Sequence, residues 1–322
     1  MTLTEIQALV GARMQRAETL MRDEIASEVP LAEMVMAYAL GGKGKRFRPL
    51  LVLLSAGACG YQGNDDITTA AFIEFIHSAT LLHDDVVDES AMRRGQPSAN
   101  IAFGNAASVL VGDFLYTRAF QLMVRTGNQA VLNVMADATN QVAAGEVMQL
   151  SNMHDPDVDE ERYYRVIELK TAVLFSAGCK AAALFADVSE EKVQALAEYG
   201  KKLGMAFQIM DDLLDYMGDA HTIGKALGDD LAEGKPTLPL IRAQSQLTGA
   251  PKIRLRNIIE QGDRDAIDEV RTMLTQTDAL PYSHAAASRL AQEAIACLDS
   301  FPLSPYTRAL ASLAHMAANR ES

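Results

Sequence analysis

Proline placement is the first constraint on this chain. The longest tracts between its ten prolines are 50–96, 98–155 and 157–235. Tracts of that length suit long helices, because nothing in them removes a backbone donor or clashes with the preceding turn. From Ile67 to Glu89 apolar residues run without the alternation of a strand, and neither glycine nor proline interrupts; this reads as one long buried helix. Further helices are expected over Leu3–Glu28, from Leu31 to the Gly41-Gly42 pair, and over 105–126 and 128–153, divided at Gly127. Asp155-Pro156-Asp157-Val158-Asp159 is a turn and helix-start signal. No Ser/Gly/Pro-rich linker divides the sequence, so residues 1–322 read as a single all-α domain, long enough to bury an extensive interior.

The buried helix ends in His77-Ser78-Ala79-Thr80-Leu81-Leu82-His83-Asp84-Asp85-Val86-Val87-Asp88-Glu89. Asp84 and Asp88 fall one turn apart on one face, with Asp85 beside them and His77 in register. Clustered carboxylates repel, and burying them unpartnered costs several kcal/mol or more. An acidic helix end is ordinarily just a solvated last turn, but this one recurs. Phe207-Gln208-Ile209-Met210-Asp211-Asp212-Leu213-Leu214-Asp215 repeats Asp-Asp-x-x-Asp after a second apolar run. Two such ends read as a pair of facing metal-binding helices. The donors are hard oxygens with no cysteine nearby, which favours Mg2+ over Zn2+; Mg2+ is typically shared between carboxylates, waters and a phosphate.

A net charge of −13 and a pI near 4.9 argue against nucleic acid as a partner. Against that background Lys43, Lys45, Arg46 and Arg48, set among glycines, form a local anion site. Cys59, Cys179 and Cys297 have no metal or redox spacing and are read as buried reduced thiols. There is no secretory h-region, and no tract nears the ~20 apolar residues of a membrane span, so the expectation is a cytoplasmic chain without a transmembrane segment.

The two aspartate motifs, together with Gly41-Gly42-Lys43-Gly44-Lys45-Arg46-Phe47-Arg48-Pro49 and Gly234-Lys235-Pro236-Thr237-Leu238-Pro239, resemble the trans-isoprenyl diphosphate synthases. The resemblance covers nearly the whole chain. It implies a bundle of long helices around a central deep apolar cavity, and head-to-tail condensation of isopentenyl diphosphate with an allylic diphosphate. It further implies that Mg2+, three ions with substrate bound and replaceable by Mn2+, is held by Asp84, Asp88 and Asp211, with Asp85, Asp212 and Asp215 in support. By the same resemblance Lys45, Arg48, His77 and Arg94 bind isopentenyl diphosphate. Arg93, Lys170, Thr171, Gln208, Lys225 and Lys235 bind the allylic diphosphate, and Lys170, Thr171 and Lys225 also act in its ionisation. Asp229 and Asp230 orient either metal-bound waters or these lysines, while His83 is structural. A homodimer is expected, with transient membrane contact at product release.

Short-chain relatives carry bulky aromatics just before the first motif, where this chain has the small Ala79 and Thr80. A flanking helix of some 25 residues, ~37 Å, accommodates roughly seven or eight isoprene units, so the expected product is about C40, for a quinone side chain, built from a farnesyl primer. Met123 and Met135 are then expected to floor the tunnel. The alternatives are a short- or medium-chain synthase and a non-catalytic partner subunit; the two intact motifs weigh against the latter.

Overall fold

The computed structural model describes residues 1–41, 46–93, 95–217 and 228–320. In these the chain is all-α apart from one minimal hairpin, in which Met92–Arg93 pairs antiparallel with Gln96–Pro97. Its helices begin with α1 (Leu3–Leu9), α2 (Gly11–Glu24), α3 (Pro30–Gly41), α4 (Phe47–Ala58), α5 (Asp65–Val87), α6 (Ala99–Phe103), α7 (Asn105–Arg125) and α8 (Gln129–Asn152). They continue with α9 (Glu160–Ile167), a π turn over Glu168–Ala172, α10 (Val173–Phe185) and α11 (Glu190–Met217). Shorter elements follow, then the longer helices Ala279–Ala296 and Pro305–Ala318. Two compact units form, one of Met1–Thr139, Ala177–Ala197 and Leu298–Ser312, the other of Asn140–Ser176, Glu198–Cys297 and Leu313–Ser322.

The first unit is built on α5. Phe72, Ile73, Phe75, Ile76, Ala79 and Leu82 are all buried, so the helix is apolar on more than one face, as an interior helix must be. It packs against α2, α4 and most extensively α7. Arg13 on α2 donates to the buried Asp66 in its first turn, at 2.6 Å from Nε. At the other end Ser108 of α7 donates to the Leu82 carbonyl at 2.7 Å. The His83 ring lies where a Cβ on Gly112 would be, 2.3 Å from Nε2, which fits the structural role expected of it. The helix stops at Asp88, with φ −85° and ψ 0°, followed by Glu89 at φ 49°.

The expected helix over Leu3–Glu28 is two helices, and the second ends at Glu24. Val10 leaves helical geometry, at φ −118° and ψ 12°. β-branched Val10 followed by Gly11 is the weakest helical pair in the stretch, and the break keeps both Ile6 and Val10 buried. Thr2 and Glu5 form a reciprocal capping box at the start of α1.

The second unit carries two apolar clusters. Tyr216, Leu231, Leu240, Leu255, Ile258, Val270 and Leu274 form one. Ile209, Met210 and Leu213 of α11 anchor the other with Tyr163, Ile167 and Leu238. Within this unit the π turn is squeezed between glycines. A Cβ on Gly145 of α8 would lie 2.6 Å from the Lys170 nitrogen, and one on Gly204 of α11 would lie 2.6 Å from the Ala172 Cα. Gly200 makes the same close approach to the Phe175 carbonyl, at 2.7 Å. Gly145, Gly200 and Gly204 thus let their helices approach the backbone of residues 169–176 closely.

Of the cysteines only Cys179 is fully buried, while Cys59 and Cys297 are half-buried. Burial pushes the Cys179 thiol up to about 12 and that of Cys59 up to about 11, so both are protonated at neutral pH.

Candidate active site

The first aspartate motif divides by burial. Asp84 and Asp88 are partly exposed at the end of α5, and the Asp88 amide donates to the Asp84 carbonyl at 2.8 Å, which keeps them one turn apart. Asp85 turns inward and is 2% exposed. Burial raises its pKa, and the Arg93 guanidinium, donating from Nε at 2.6 Å, opposes the rise. That bond ties the hairpin to α5, while Gly95 takes φ 78° between the paired Arg93 and Gln96. A small cavity of about 40 Å3 adjoins the pair, lined among others by Tyr38, Ser78, Leu81 and Ser98.

The second motif gives its three carboxylates three different settings. Asp211, with its side chain 40% exposed, accepts a hydrogen bond from Arg320 at 2.6 Å. The same guanidinium stacks 4.3 Å from the centre of the Phe207 ring. Asp212 is buried and pushed up to about 8, chiefly by burial and then by the neighbouring charge of Asp230. Hydrogen bonds from Tyr163 Oη at 2.6 Å and Gln208 Nε2 at 2.8 Å partly counter this. Asp215 accepts the backbone N–H groups of Asp229 and Asp230, at 3.3 and 3.1 Å.

Gln208 also accepts from Thr171 Oγ1 at 2.8 Å. Thr171, Gln208, Asp212 and Tyr163 therefore form one chain of hydrogen bonds from the π turn to the second motif. Lys170 sits in the π turn and pairs with Glu146 of α8 at 2.6 Å. π turns inside helices recur at functional sites because they displace side chains from regular helical positions. Lys235 pairs with Glu233 and lies 3.9 Å from Asp230, while Arg264 pairs with Asp229.

Among the residues expected to hold isopentenyl diphosphate, Arg48 opens α4 and His77 lies on α5, both partly exposed. Arg46 does not share their outlook: it points inward to Glu74 at 2.7 Å and to the Leu40 carbonyl, and takes φ 46° as the residue before α4. Its charge stabilises the buried Glu74. Ala79, Met123 and Met135 are fully buried in the first unit, and Thr80 is half-buried with its hydroxyl bonded to the His77 carbonyl at 2.9 Å. Lys45, Arg94 and Lys225 lie outside the described residues.

Sequence reasoning misses Arg320, Tyr163, Glu146 and the role of Gly145. Gly145 carried a signal, since an isolated glycine within a helical pattern often marks a close backbone approach. Arg320 carried none, being one basic residue near the end of an amphipathic helix.

Among the described residues, no three acidic or imidazole side chains converge closely enough to hold an ion by themselves. Mg2+ commonly takes only one or two carboxylates and completes its shell with water and phosphate. Asp84 and Asp88 in the first unit, and Asp211 in the second, are each hard oxygen donors and each partly exposed, which is the chemistry such an ion takes.

The chain belongs to the polyprenyl synthetase family, whose pattern it matches over residues 29–277. It is 48% identical to the octaprenyl diphosphate synthase of Escherichia coli K12, over 100% of both chains. It is equally identical to that of Haemophilus influenzae, over 99% of this chain and 98% of the relative. A polyprenyl synthase from Caulobacter crescentus, crystallised with calcium and isoprenyl diphosphate, superposes with a TM-score of 0.94 at 40% identity, covering 100% of this chain and 98% of the other. No helix among the described residues is long and apolar enough to cross a membrane.

Proposed function

We propose that this chain is an all-trans, long-chain polyprenyl diphosphate synthase. It adds isopentenyl diphosphate repeatedly to an allylic primer, most readily farnesyl diphosphate, and stops near a C40 product suited to a quinone side chain, a length in keeping with a flanking helix that spans roughly seven or eight isoprene units. The observation that carries this reading is the full-length 48% identity to octaprenyl diphosphate synthases in a chain that keeps both aspartate motifs. The small Ala79, with Met123 and Met135 buried in the same unit, supports a tunnel open at its top and floored by the methionines. Residues 1–322 are read as one catalytic domain, because the family match runs through segments of both units.

Bound Mg2+, held by Asp84, Asp88 and Asp211, supplies charge that stabilises the departing diphosphate. Lys170, Lys225 and Lys235 add fixed positive charge where negative charge grows, and Arg93, anchored by Asp85, faces the same group. Thr171 and Gln208 orient it through their shared hydrogen bond. Lys45, Arg48, His77 and Arg94 hold isopentenyl diphosphate so that its double bond attacks the allylic carbon. The released diphosphate takes the final proton, and the apolar walls keep water from the cation. Three ions and Mn2+ substitution belong to the same proposal, as do a cytoplasmic location and a homodimer. In support of the homodimer, α7 exposes Leu110 and Val124 at 67% and 62%.

The test supplies the purified chain with farnesyl diphosphate, labelled isopentenyl diphosphate and Mg2+, and sizes the dephosphorylated products by chromatography. Products centred near C40 support the reading. Products of four units or fewer make it a short-chain synthase, and no product without a second chain makes it a partner subunit.

A further inference from the structure

The third carboxylate of the second motif is engaged in work unlike metal binding. Three consecutive amides converge on Asp215: Gly228 donates to its backbone carbonyl at 3.4 Å, and Asp229 and Asp230 donate to its two carboxylate oxygens at 3.3 and 3.1 Å. These amides open the short helix Asp229–Ala232, which has no cap from its own preceding residue, Gly228. A helix start leaves its first amides without partners, and a carboxylate satisfies them while matching their partial positive charge. Here the carboxylate comes from α11, fourteen and fifteen residues before the two amides it accepts.

The far end of the same segment is held as firmly. The Lys235 amide donates to the Asp230 carbonyl at 2.9 Å, and the Gly234 carbonyl accepts from the His154 amide at 2.8 Å. Gly234 takes φ 65° with the His154 ring against it, where a Cβ would lie 2.3 Å from Nδ1. The segment 228–235 is thus fixed at its start by Asp215 and at its finish by His154, and Lys235 leaves it with its ammonium beside Glu233 and Asp230.

We propose that Asp215 is a positioning residue, which couples the helix bearing Asp211 to the segment bearing Lys235 and so sets where that ammonium meets the allylic diphosphate. Asp211 serves the metal from the same motif. The inference rests on the reading of Lys235 as a ligand of that diphosphate, and the test separates the two.

Binding of farnesyl thiodiphosphate is measured by calorimetry at saturating Mg2+, alongside the half-saturating Mg2+ at saturating analogue and amide exchange over residues 228–235. Lys235→Ala is expected to weaken the analogue about ten-fold or more. Asp215→Ala is expected to weaken it about ten-fold, leave the Mg2+ requirement within about two-fold, and speed exchange over 228–235. Asp215→Asn, whose amide oxygen still accepts a backbone N–H, recovers binding to within about three-fold, whereas Asp211→Asn raises the Mg2+ requirement about ten-fold. If both Asp215 variants raise the Mg2+ requirement as Asp211→Asn does, Asp215 is a metal ligand and the inference is overturned. Unchanged exchange over 228–235 in Asp215→Ala overturns it too. Wild-type binding by Lys235→Ala removes the reading of Lys235 alone, and exchange still decides what Asp215 holds. Should Asp215→Ala not fold, Asp215→Asn decides by its Mg2+ requirement, unchanged in support and raised against.

Discussion

Gly145→Ala probes the π turn directly. The added methyl lies 2.6 Å from the Lys170 nitrogen and 2.9 Å from the Leu169 carbonyl carbon, backbone atoms with no alternative rotamer. Ordinary contact begins at 3.4 Å, so α8 and the turn must part by about 0.8 Å. Overpacking of this kind costs about 1–3 kcal/mol. Glycine to alanine within a helix returns about 0.5–1 kcal/mol, which leaves a net loss of up to about 2.5 kcal/mol and a fall in Tm of up to about 4 °C. Gly11→Ala is the matched control, because nothing lies within 4 Å of its added methyl; it is expected to leave Tm level or slightly raised. The two variants share one chemical change, made at the opening residue of α2 in one case and inside the crowded α8 in the other. Since Lys170 and Thr171 ride on the displaced turn, kcat should fall about ten- to hundred-fold in Gly145→Ala. Calorimetry and steady-state rates are the measurements. A Gly145→Ala protein as stable and as active as Gly11→Ala refutes the argument, and lost stability with an untouched kcat means the turn relaxes without moving Lys170.

Asp84→Ala or Asp211→Ala is expected to lower turnover roughly a hundred-fold or more with the helical circular dichroism retained, and near-normal rates at saturating Mg2+ remove the metal assignment. Ala79→Tyr is expected to shorten the product to about four units, one turn above the first aspartates, and Met123→Ala with Met135→Ala to lengthen it; unchanged product lengths in active variants show that the tail passes elsewhere. Asp212, pushed up to about 8 in the folded protein, binds its proton more tightly there than in the unfolded chain. Its contribution to stability is therefore complete below the ordinary carboxylate range and is lost as pH rises through about 8. With chelator present, Tm should decline across that window more steeply in wild type than in Asp212→Asn, and parallel curves contradict it.

The features legible in sequence were local ones. An apolar run closing in Asp-Asp-x-x-Asp states both its helix and its carboxylates within a few turns, and Gly127 and Pro156 mark boundaries by conformational rules that need no partner. What stayed hidden depends on residues far along the chain. The π turn at Lys170 exists because Gly145 and Gly204 let two other helices approach its backbone. The different environments of Asp211, Asp212 and Asp215 follow from Arg320, Tyr163 and the return of the chain at Asp229. Three identical side chains within five positions look equivalent in the motif, and only the packing distinguishes them.

The contact between Arg320 and Asp211 bears on how a metal-free sample is understood. A chelator strips dissolved ions from a carboxylate, but it has no hold on a guanidinium joined to the same polypeptide, whose local concentration is set by tethering and does not fall on dilution. Dialysis therefore does not leave the Asp211 carboxylate bare, because Arg320 stays beside it. If Asp211 is a Mg2+ ligand as proposed, titrating Mg2+ back into such a sample would measure a displacement, and the apparent affinity at this carboxylate would include the work of moving Arg320 aside.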